Sequence, residues 1–224
     1  PIVVTRTYVV TDACGNSTTR TQIINVNDST SPGITGSIAT TTIEGCAANA
    51  VAAPVTTVSA LEGLGLSISD ACTSDANLVV TSSDASTGTC PIVVIRTYVV
   101  TDACGNSTTR TQIINVNDTT APSITGTIAT TTVEGCTAGN ATAAVATVAA
   151  LEGLGLTITD ACTSDANISV TSSDASTGTC PIVVTRTYVV TDACGNSTTK
   201  TQIINVNDTT APAVTGAITN TIVE

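Results

Sequence analysis

The sequence of 224 residues contains no histidine, methionine, phenylalanine or tryptophan, and three tyrosines are its only aromatic residues. Without histidine there is no Ser-His or Cys-His catalytic pair and no imidazole ligand for a metal. Structural zinc is also disfavoured, because no CxxC pair occurs. Paired carboxylates could still serve a glycosidase, but no two acidic residues stand out by position. The sequence therefore predicts that the protein is not an enzyme.

Basic residues are scarce: 6 Lys and Arg face 17 Asp and Glu, for a net charge of -11. Such a chain repels nucleic acid and anionic lipid, and divalent cations are its more natural small partners. No apolar run approaches the roughly 18 to 20 residues of a membrane span, so no span is expected in this segment. Because Pro1 is neither an initiator Met nor part of a signal peptide, we expect a mature interior piece of a longer chain.

The sequence repeats itself with a period of 90 residues. PIVVTRTYVVTDACGNSTT begins at Pro1 and at Pro181, and it recurs at Pro91 with Ile95 in place of Thr5. A unit of this size is a small domain rather than a solenoid repeat, which predicts beads on a string. The linker-like VNDTTAP stretches set the predicted boundaries. Residues 1–28 are the C-terminal part of one domain, 29–118 and 119–208 are complete domains, and 209–224 supply the N-terminal strand of the next.

Val, Ile and Thr are abundant and lie in short runs separated by Gly, Asp, Asn and Ser, a pattern that favours strands. Strands are predicted over residues 92–101, 108–117, 124–134, 156–159 and 168–172. The sole helix candidate is ALEGLG at Ala60 and Ala150, where two glycines limit it to a turn or two. The predicted fold class is all-β: tandem immunoglobulin-like antiparallel β-sandwich domains.

Nine cysteines are present, four in each repeat and one, Cys14, whose partner falls outside the chain. Four cysteines allow three pairings. In an immunoglobulin-like sandwich, the loop after the second strand shares one pole with the final hairpin tip, and the other two positions share the opposite pole. The predicted disulfides are therefore Cys46/Cys90, Cys72/Cys104, Cys136/Cys180 and Cys162/Cys194. Each would contribute roughly 4 kcal/mol in the chain-entropy model, and disulfides imply an oxidising compartment outside the cytosol.

Acidic residues should cluster where one domain meets the next. The expected ligands are Asp118, Asp160, Asp165, Asp192 and Asn196. Oxygen-rich clusters of this kind suit calcium, which would stiffen the domain joints. The alternative is that these side chains only shape solvated turns, since Asp and Asn favour such positions. No other cofactor is predicted.

Arg96 and Tyr98 alternate on the penultimate strand, as do their copies Arg6, Tyr8, Arg186 and Tyr188. Tyr is expected to be the largest piece of the core, with Arg extending towards solvent at the sheet edge. A ligand site is the alternative.

RTYVVTDACGNSTT followed by TQIINVNDTTAP, with VEGC and ITDAC upstream, resembles the hyalin-repeat-like (HYR-like) immunoglobulin-fold modules of giant Bacteroidetes surface adhesins, gliding-motility adhesins among them. The resemblance covers nearly the whole chain. It implies type IX secretion, an extracellular location at the cell surface, and anchoring to the outer membrane through segments not in this chain. It also implies O-glycans at Asp-Ser/Thr-x sites, which Ser29, Thr119 and Thr209 match.

Two functions follow as hypotheses. The first is a structural repeat region of an extracellular bacterial adhesin or filament, a stalk or fibre that supports adhesion and gliding motility. Its partners would be neighbouring repeats, laterally associated chains, and external surfaces or polysaccharides. The alternative is a multivalent carbohydrate-binding array in which weak sites act by avidity, although sparse aromatics disfavour it.

Overall fold

The computed structural model describes residues 2–218, which fall into two compact units, Pro1–Asp118 and Thr119–Glu224. The division coincides with the predicted boundary between residues 118 and 119. The finer boundaries at residues 28 and 208 stay predictions, and residues 219–224 of the last predicted segment lie outside the described residues.

Unit 1 consists of eight strands and one brief helix. Its strands are β1 (Ile2–Thr11), β2 (Ser17–Val26), β3 (Gly33–Gly36), β4 (Thr41–Glu44), β5 (Leu66–Ser69), β6 (Val79–Thr87), β7 (Ile92–Thr101) and β8 (Ser107–Asn117). The helix is α1 (Val58–Glu62), and single 3-10 turns cover Ala48–Ala50 and Asp75–Asn77. The Thr57 hydroxyl accepts the Ala60 N–H at 3.2 Å and caps α1, which fixes a helix too short to persist alone.

Unit 2 repeats this order from β3 onwards. Its strands are β9 (Ser123–Gly126), β10 (Thr131–Glu134), β11 (Leu156–Thr159), β12 (Ser169–Thr177), β13 (Ile182–Thr191) and β14 (Ser197–Asn207). The helix is α2 (Val148–Glu152), and 3-10 turns cover Ala138–Asn140 and Asp165–Asn167. The predicted strand over 156–159 is confirmed to the residue, and the strand predicted over 168–172 runs on to Thr177.

Each complete repeat has a four-stranded and a two-stranded sheet. The orders are β4-β8-β7-β6 with β3-β5 in unit 1, and β10-β14-β13-β12 with β9-β11 in unit 2, while β1 pairs with β2 alone. The strand expected over 124–134 is in fact two strands. Gly126 adopts φ +87, and a side chain there would clash with the backbone of Gly155, so the chain turns and β10 joins the other sheet.

One pairing departs from the expected antiparallel pattern. β4 runs parallel to β8, with Thr41 opposite Ile114, and β10 runs parallel to β14. The cause is the break between β3 and β4, which recurs between β9 and β10. After the break, the chain leaves the two-stranded sheet and continues in the same direction along the edge of the four-stranded sheet. All other strand pairs are antiparallel among the described residues.

Alternation along the strands separates the core from solvent. On β7 the buried side chains are Val94, Arg96, Tyr98 and Val100, every second residue, as expected for a sheet covered on one face. Leu61 of α1 is fully buried against this core, and its burial contributes roughly 2 kcal/mol. The predicted all-β sandwich class is confirmed. Within residues 2–218, no helix is long and apolar enough to cross a membrane.

Candidate functional site: a carboxylate cluster beside the hairpin tip

The DACGN segment forms the tip of the hairpin between β7 and β8. The Asp102 carboxylate Oδ1 accepts the Cys104 and Asn106 backbone N–H groups, each at 2.8 Å, and Oδ2 accepts the Asn106 amide at 2.8 Å. Asp12 and Asp192 make the same bonds in their hairpins. The Asp side chain therefore stabilises the turn through hydrogen bonds within it, and this structural role does not involve the cysteine side chain.

Asp102 also belongs to a group of three carboxylates. Asp28, Asp70 and Asp102 each place an oxygen within 4.8 Å of the others. Asp28 follows β2, Asp70 follows β5, and Asp102 follows β7, so three separate strand ends converge on this point. The sequence analysis did not predict this cluster. Its members lie one repeat before Asp118, Asp160 and Asp192, so the same reasoning applied to the preceding repeat would have found it.

Neutral donors surround the cluster. Asp70 Oδ1 accepts the Cys72 and Thr73 N–H groups at 2.9 and 2.7 Å, and the Asn106 amide donates to the Asp28 carbonyl at 3.2 Å. Asp28 Oδ1 accepts the Thr30 N–H, whereas Asp28 Oδ2 is buried and has no hydrogen-bond partner within residues 2–218. Burial raises the pKa of Asp102, but the hydrogen bonds from Asn106, Cys104 and Gly105 outweigh it, and the net pKa is lowered. This arrangement holds Asp102 ionised among like charges.

The predicted calcium ligands of unit 2 meet in part. Asp160 and Asp192 place carboxylate oxygens within 4.8 Å of each other, and Asn196 donates to Asp192 Oδ2. Asp165 instead starts the 3-10 turn Asp165–Asn167 and lines a cleft beside α2 with Thr147 and Val148, so it lies away from the group. Asp118 is the last residue of unit 1 and the sequence equivalent of Asp28.

The bonded cysteines differ between the units. Cys46 and Cys90 of unit 1 are disulfide-bonded, as are Cys162 and Cys194 of unit 2. The remaining five cysteines are thiols: Cys14, Cys72, Cys104, Cys136 and Cys180. Each repeat thus closes one of its two predicted bonds, and the bond that is open in one repeat is closed at the equivalent position in the other. The structure differs from the expected two bonds per domain, and the Cys72/Cys104 and Cys136/Cys180 bonds stay predictions.

Within each complete repeat, the two unbonded cysteines lie near each other and near carboxylates. The negative charge of Asp28 is the largest cause that raises the pKa of Cys72, followed by lost hydration, the charge of Asp70, a hydrogen bond to the Asp28 side chain and the nearby Cys104. The charge of Asp208 raises the pKa of Cys136, with a smaller contribution from Cys180. A raised pKa keeps a thiol protonated at neutral pH and makes it a poor nucleophile. These positions therefore suit a structural bond better than catalysis.

A threonine that sequence reasoning missed ties the loop after β5 to the hairpin tip. Thr73 is buried, and its hydroxyl accepts the Ala103 N–H at 3.3 Å, as Thr163 does for Ala193. Its position directly after Cys72 in the DACT segment was the available signal.

The two predicted roles on β7 separate in the structure. Tyr98 is a core residue, as expected. Arg96 does not extend to solvent: its guanidinium is buried, bonds both Asp84 oxygens at 2.8 Å and donates to the Ala52 carbonyl at 2.9 Å. The reason is register, since Asp84 lies directly opposite on β6. Arg186 and Asp174 form the same pair.

The predicted glycan acceptors have different surroundings. Ser29 and Thr119 are exposed. Thr209 is also exposed, but its hydroxyl donates to Glu134 Oε2 at 2.6 Å and its N–H donates to Oε1 at 2.9 Å. These hydrogen bonds, the hydroxyl bond first, lower the pKa of Glu134. A glycan on Thr209 would have to replace this contact.

No protein-family model matches the chain, and no curated protein does. Among solved structures, human mucin-like protocadherin EC1-2 is 11% identical, with a TM-score of 0.30 over 79% of this chain and 98% of that one. The human desmocollin-1 ectodomain is 12% identical, with a TM-score of 0.26 over 88% of this chain and 44% of that one. At these TM-scores the two likenesses carry no further argument about the protein.

Proposed function

We propose that the chain is a structural repeat region of an extracellular bacterial adhesin or filament, with each 90-residue domain serving as a spacer. The observation that carries this is duplication of the internal framework. The buried Arg96/Asp84 and Arg186/Asp174 pairs, the capped helices and the hairpin tips recur with nearly the same distances in both repeats. A stalk needs many equivalent, self-supporting domains, whereas a single active site needs no copies.

The cysteine chemistry supports a location outside the cytosol. Disulfides persist in oxidising compartments, and Cys46, Cys90, Cys162 and Cys194 are disulfide-bonded. The proposed bacterial source, type IX secretion, outer-membrane anchoring, gliding motility and O-glycans at Ser29, Thr119 and Thr209 rest on the HYR-like resemblance of the sequence. Catalysis is not part of the proposal.

Stretching a single chain tests the spacer role. If Cys46/Cys90 is closed, unfolding of residues 29–118 releases roughly 160 Å of chain, against roughly 315 Å after reduction, at about 3.5 Å per residue. Residues 119–208 should release the same roughly 160 Å if Cys136/Cys180 also closes, or roughly 200 Å if Cys162/Cys194 is their only bond. Extension without discrete unfolding events, or release of the full length before reduction, would contradict a stapled spacer.

The carbohydrate-binding alternative has less support. Sugar sites favour exposed aromatic faces, but Tyr98 and Tyr188 of the two complete repeats are fully buried in the core, and the exposed tyrosine, Tyr8, belongs to the partial repeat. A cleft of about 200 Å³ beside Arg96 and Gln112 exposes mainly aliphatic side chains. Specific retention of the chain by one glycan class on an array would reverse the ranking of the two functions.

We also propose that the cluster of Asp28, Asp70 and Asp102 binds a calcium ion. Two observations support this beyond the negative charge. Among the described residues, no group forms a hydrogen bond with the buried Asp28 Oδ2. An open cleft of about 290 Å³, lined by Asp28, Cys72, Thr73 and Cys104, gives access. Hard oxygen ligands from three strand ends suit this cation. By repeat equivalence, Asp160 and Asp192 would serve the next site, as the sequence predicts.

Calcium titration by calorimetry, together with thermal unfolding, tests this second proposal. Saturating calcium should raise the unfolding temperature, because a ligand at 100 times its Kd stabilises by about 2.7 kcal/mol. Asp70→Asn should weaken binding, whereas Asp75→Asn, a change at an exposed position outside the cluster, should not. An unfolding temperature unchanged by excess chelator would overturn the calcium proposal and leave the spacer role intact.

A further inference from the structure

On the outer face of the large sheet, the side chains of the three long strands carry no charge, and an acidic side chain, Glu44, lies at the margin on the short edge strand β4. In unit 1 this face consists of the outward side chains of β6, β7 and β8, arranged in five cross-strand rows of three. Its members are Val79, Thr81, Ser83, Ala85, Thr87, Val93, Ile95, Thr97, Val99, Thr101, Ser107, Thr109, Thr111, Ile113 and Asn115. None is buried. We call this set the outer sheet face.

The outer sheet face is partly apolar and repeats in unit 2. Ile95 and Ile113 are opposite each other and 41% and 43% exposed. The equivalent face on β12, β13 and β14 differs only in having Ser169 for Val79 and Thr185 for Ile95, both uncharged. The inward face of the same strands does carry charge, including Arg96, Asp84 and Arg110. Rows of threonine and aliphatic side chains thus face solvent once per repeat.

We propose that the outer sheet face is a lateral contact surface for a second copy of this chain. Copies with a net charge of -11 repel one another, and contact is least opposed where the surface carries no charge. An identical partner brings the same uncharged rows, so two such faces can pack with strands about 30° apart, as sheets do in sandwiches. This inference names a partner for the proposed structural role. It rests on that role, because it assumes a chain of many consecutive domains.

The area of the face indicates that one domain is not enough. Five rows and three strands cover roughly 30 Å by 14 Å, or about 400 Å², which is half of the roughly 800 Å² per partner in a stable complex. A single pair of faces should therefore associate weakly. Successive repeats on one chain would add their contacts by avidity, so association should strengthen steeply with repeat number.

Analytical ultracentrifugation of the oxidised chain over a range of concentrations tests the proposal. The test variant carries Thr7→Glu, Thr97→Glu and Thr187→Glu, which put one carboxylate in the middle row of each hairpin face. The control carries Thr56→Glu, Ser59→Glu and Ala149→Glu, which add the same charge at exposed positions outside the face. The native chain and the control should associate, and the test variant should associate roughly tenfold more weakly or worse.

A charge-swap experiment shows whether weaker association comes from repulsion between the two faces or from misfolding of the variant. A chain with Lys at the same three positions should also associate poorly alone, but an equal mixture of the Glu and Lys chains should regain association, and added salt should reduce it. Circular dichroism should show native strand content in both. A native chain that stays monomeric, a Glu variant that associates like its control, or a mixture no better than its components would each overturn the proposal. None of these outcomes would alter the unfolding lengths expected for a spacer.

Discussion

The hairpins β1-β2 and β7-β8 have the same sequence except for Thr5 and Ile95, but within these 224 residues only β7-β8 is accompanied by the rest of its repeat. Their strand registers match residue for residue, and in both tips the Asn side-chain amide donates a hydrogen bond to the Asp carboxylate. Tyr98 is 1% exposed, whereas Tyr8 is 47% exposed. Turn and register are therefore local properties of this sequence, and the core depends on what residues 29–90 place against the sheet.

The largest contrast should come from the tyrosines. Tyr98→Ala removes a fully buried aromatic ring and should cost about 3 to 5 kcal/mol. Tyr8→Ala, at the matched position of the exposed hairpin, should cost less than about 1 kcal/mol. Denaturant unfolding of the two variants measures both. Equal losses would mean that β1-β2 is buried by the same kind of contact as β7-β8, and the contrast between the hairpins would fail.

Arginine should show a smaller contrast. Arg96→Ala removes both bonds to Asp84 and the bond to the Ala52 carbonyl, and should cost about 2 kcal/mol, because Asp84 remains partly solvated. Arg6→Ala, at the matched exposed position, should change stability by less than about 0.5 kcal/mol. The same unfolding measurement decides, and a negligible loss for Arg96→Ala would show that the buried ion pair contributes no net stability.

The ion pair also predicts acid sensitivity. Hydrogen bonds from Arg96 lower the pKa of Asp84 below its usual 3.8. A lowered folded-state pKa stabilises the protein above the unfolded pKa, and this contribution is lost as pH falls below about 4 through the folded value. Asp84→Asn should therefore flatten the loss of stability of unit 1 below about pH 4, while Asp75→Asn serves as an exposed control. If the stability of Asp84→Asn falls below pH 4 as steeply as that of the native chain, Asp84 is not the source of the acid sensitivity.

The hairpin tips should differ least. Asp102→Ala and Asp12→Ala remove the same three hydrogen bonds, so each should loosen its own turn. Only Asp102→Ala should also lower the midpoint of unit 1 unfolding, because the N–H donors that Asp102 accepts are partly buried, whereas those of Asp12 are exposed to water. Amide exchange at Cys14, Asn16, Cys104 and Asn106 measures the turns. Fast exchange at only one tip would show that the turn is not set locally.

Local patterns in the sequence account for much of the fold. Alternation and turn residues predict the 92–101 strand, and the same pattern gives the bounds of β11. The sequence missed the division of 124–134 into two strands, because Gly126 looks like any glycine until its φ and the nearby Gly155 are known. The parallel β4/β8 pair depends on the same non-local event.

The candidate site divides in the same way. Asp160 and Asp192 were expected together because they follow strands that end at one pole, and their carboxylates do meet. Asp165 was misplaced because a 3-10 turn, which composition does not reveal, carries it towards α2. The burial of Arg96 also escaped prediction, since it depends on the register that sets Asp84 opposite it.

The central claim is that every repeat is the same self-supporting domain, bonded at both poles. Non-reducing peptide mapping of the oxidised chain tests it most directly. The account predicts Cys46/Cys90, Cys72/Cys104, Cys136/Cys180 and Cys162/Cys194 links in full yield, with Cys14 as the one reactive thiol. A Cys46/Cys72 link, or persistent thiols at Cys72, Cys104, Cys136 and Cys180, would contradict it.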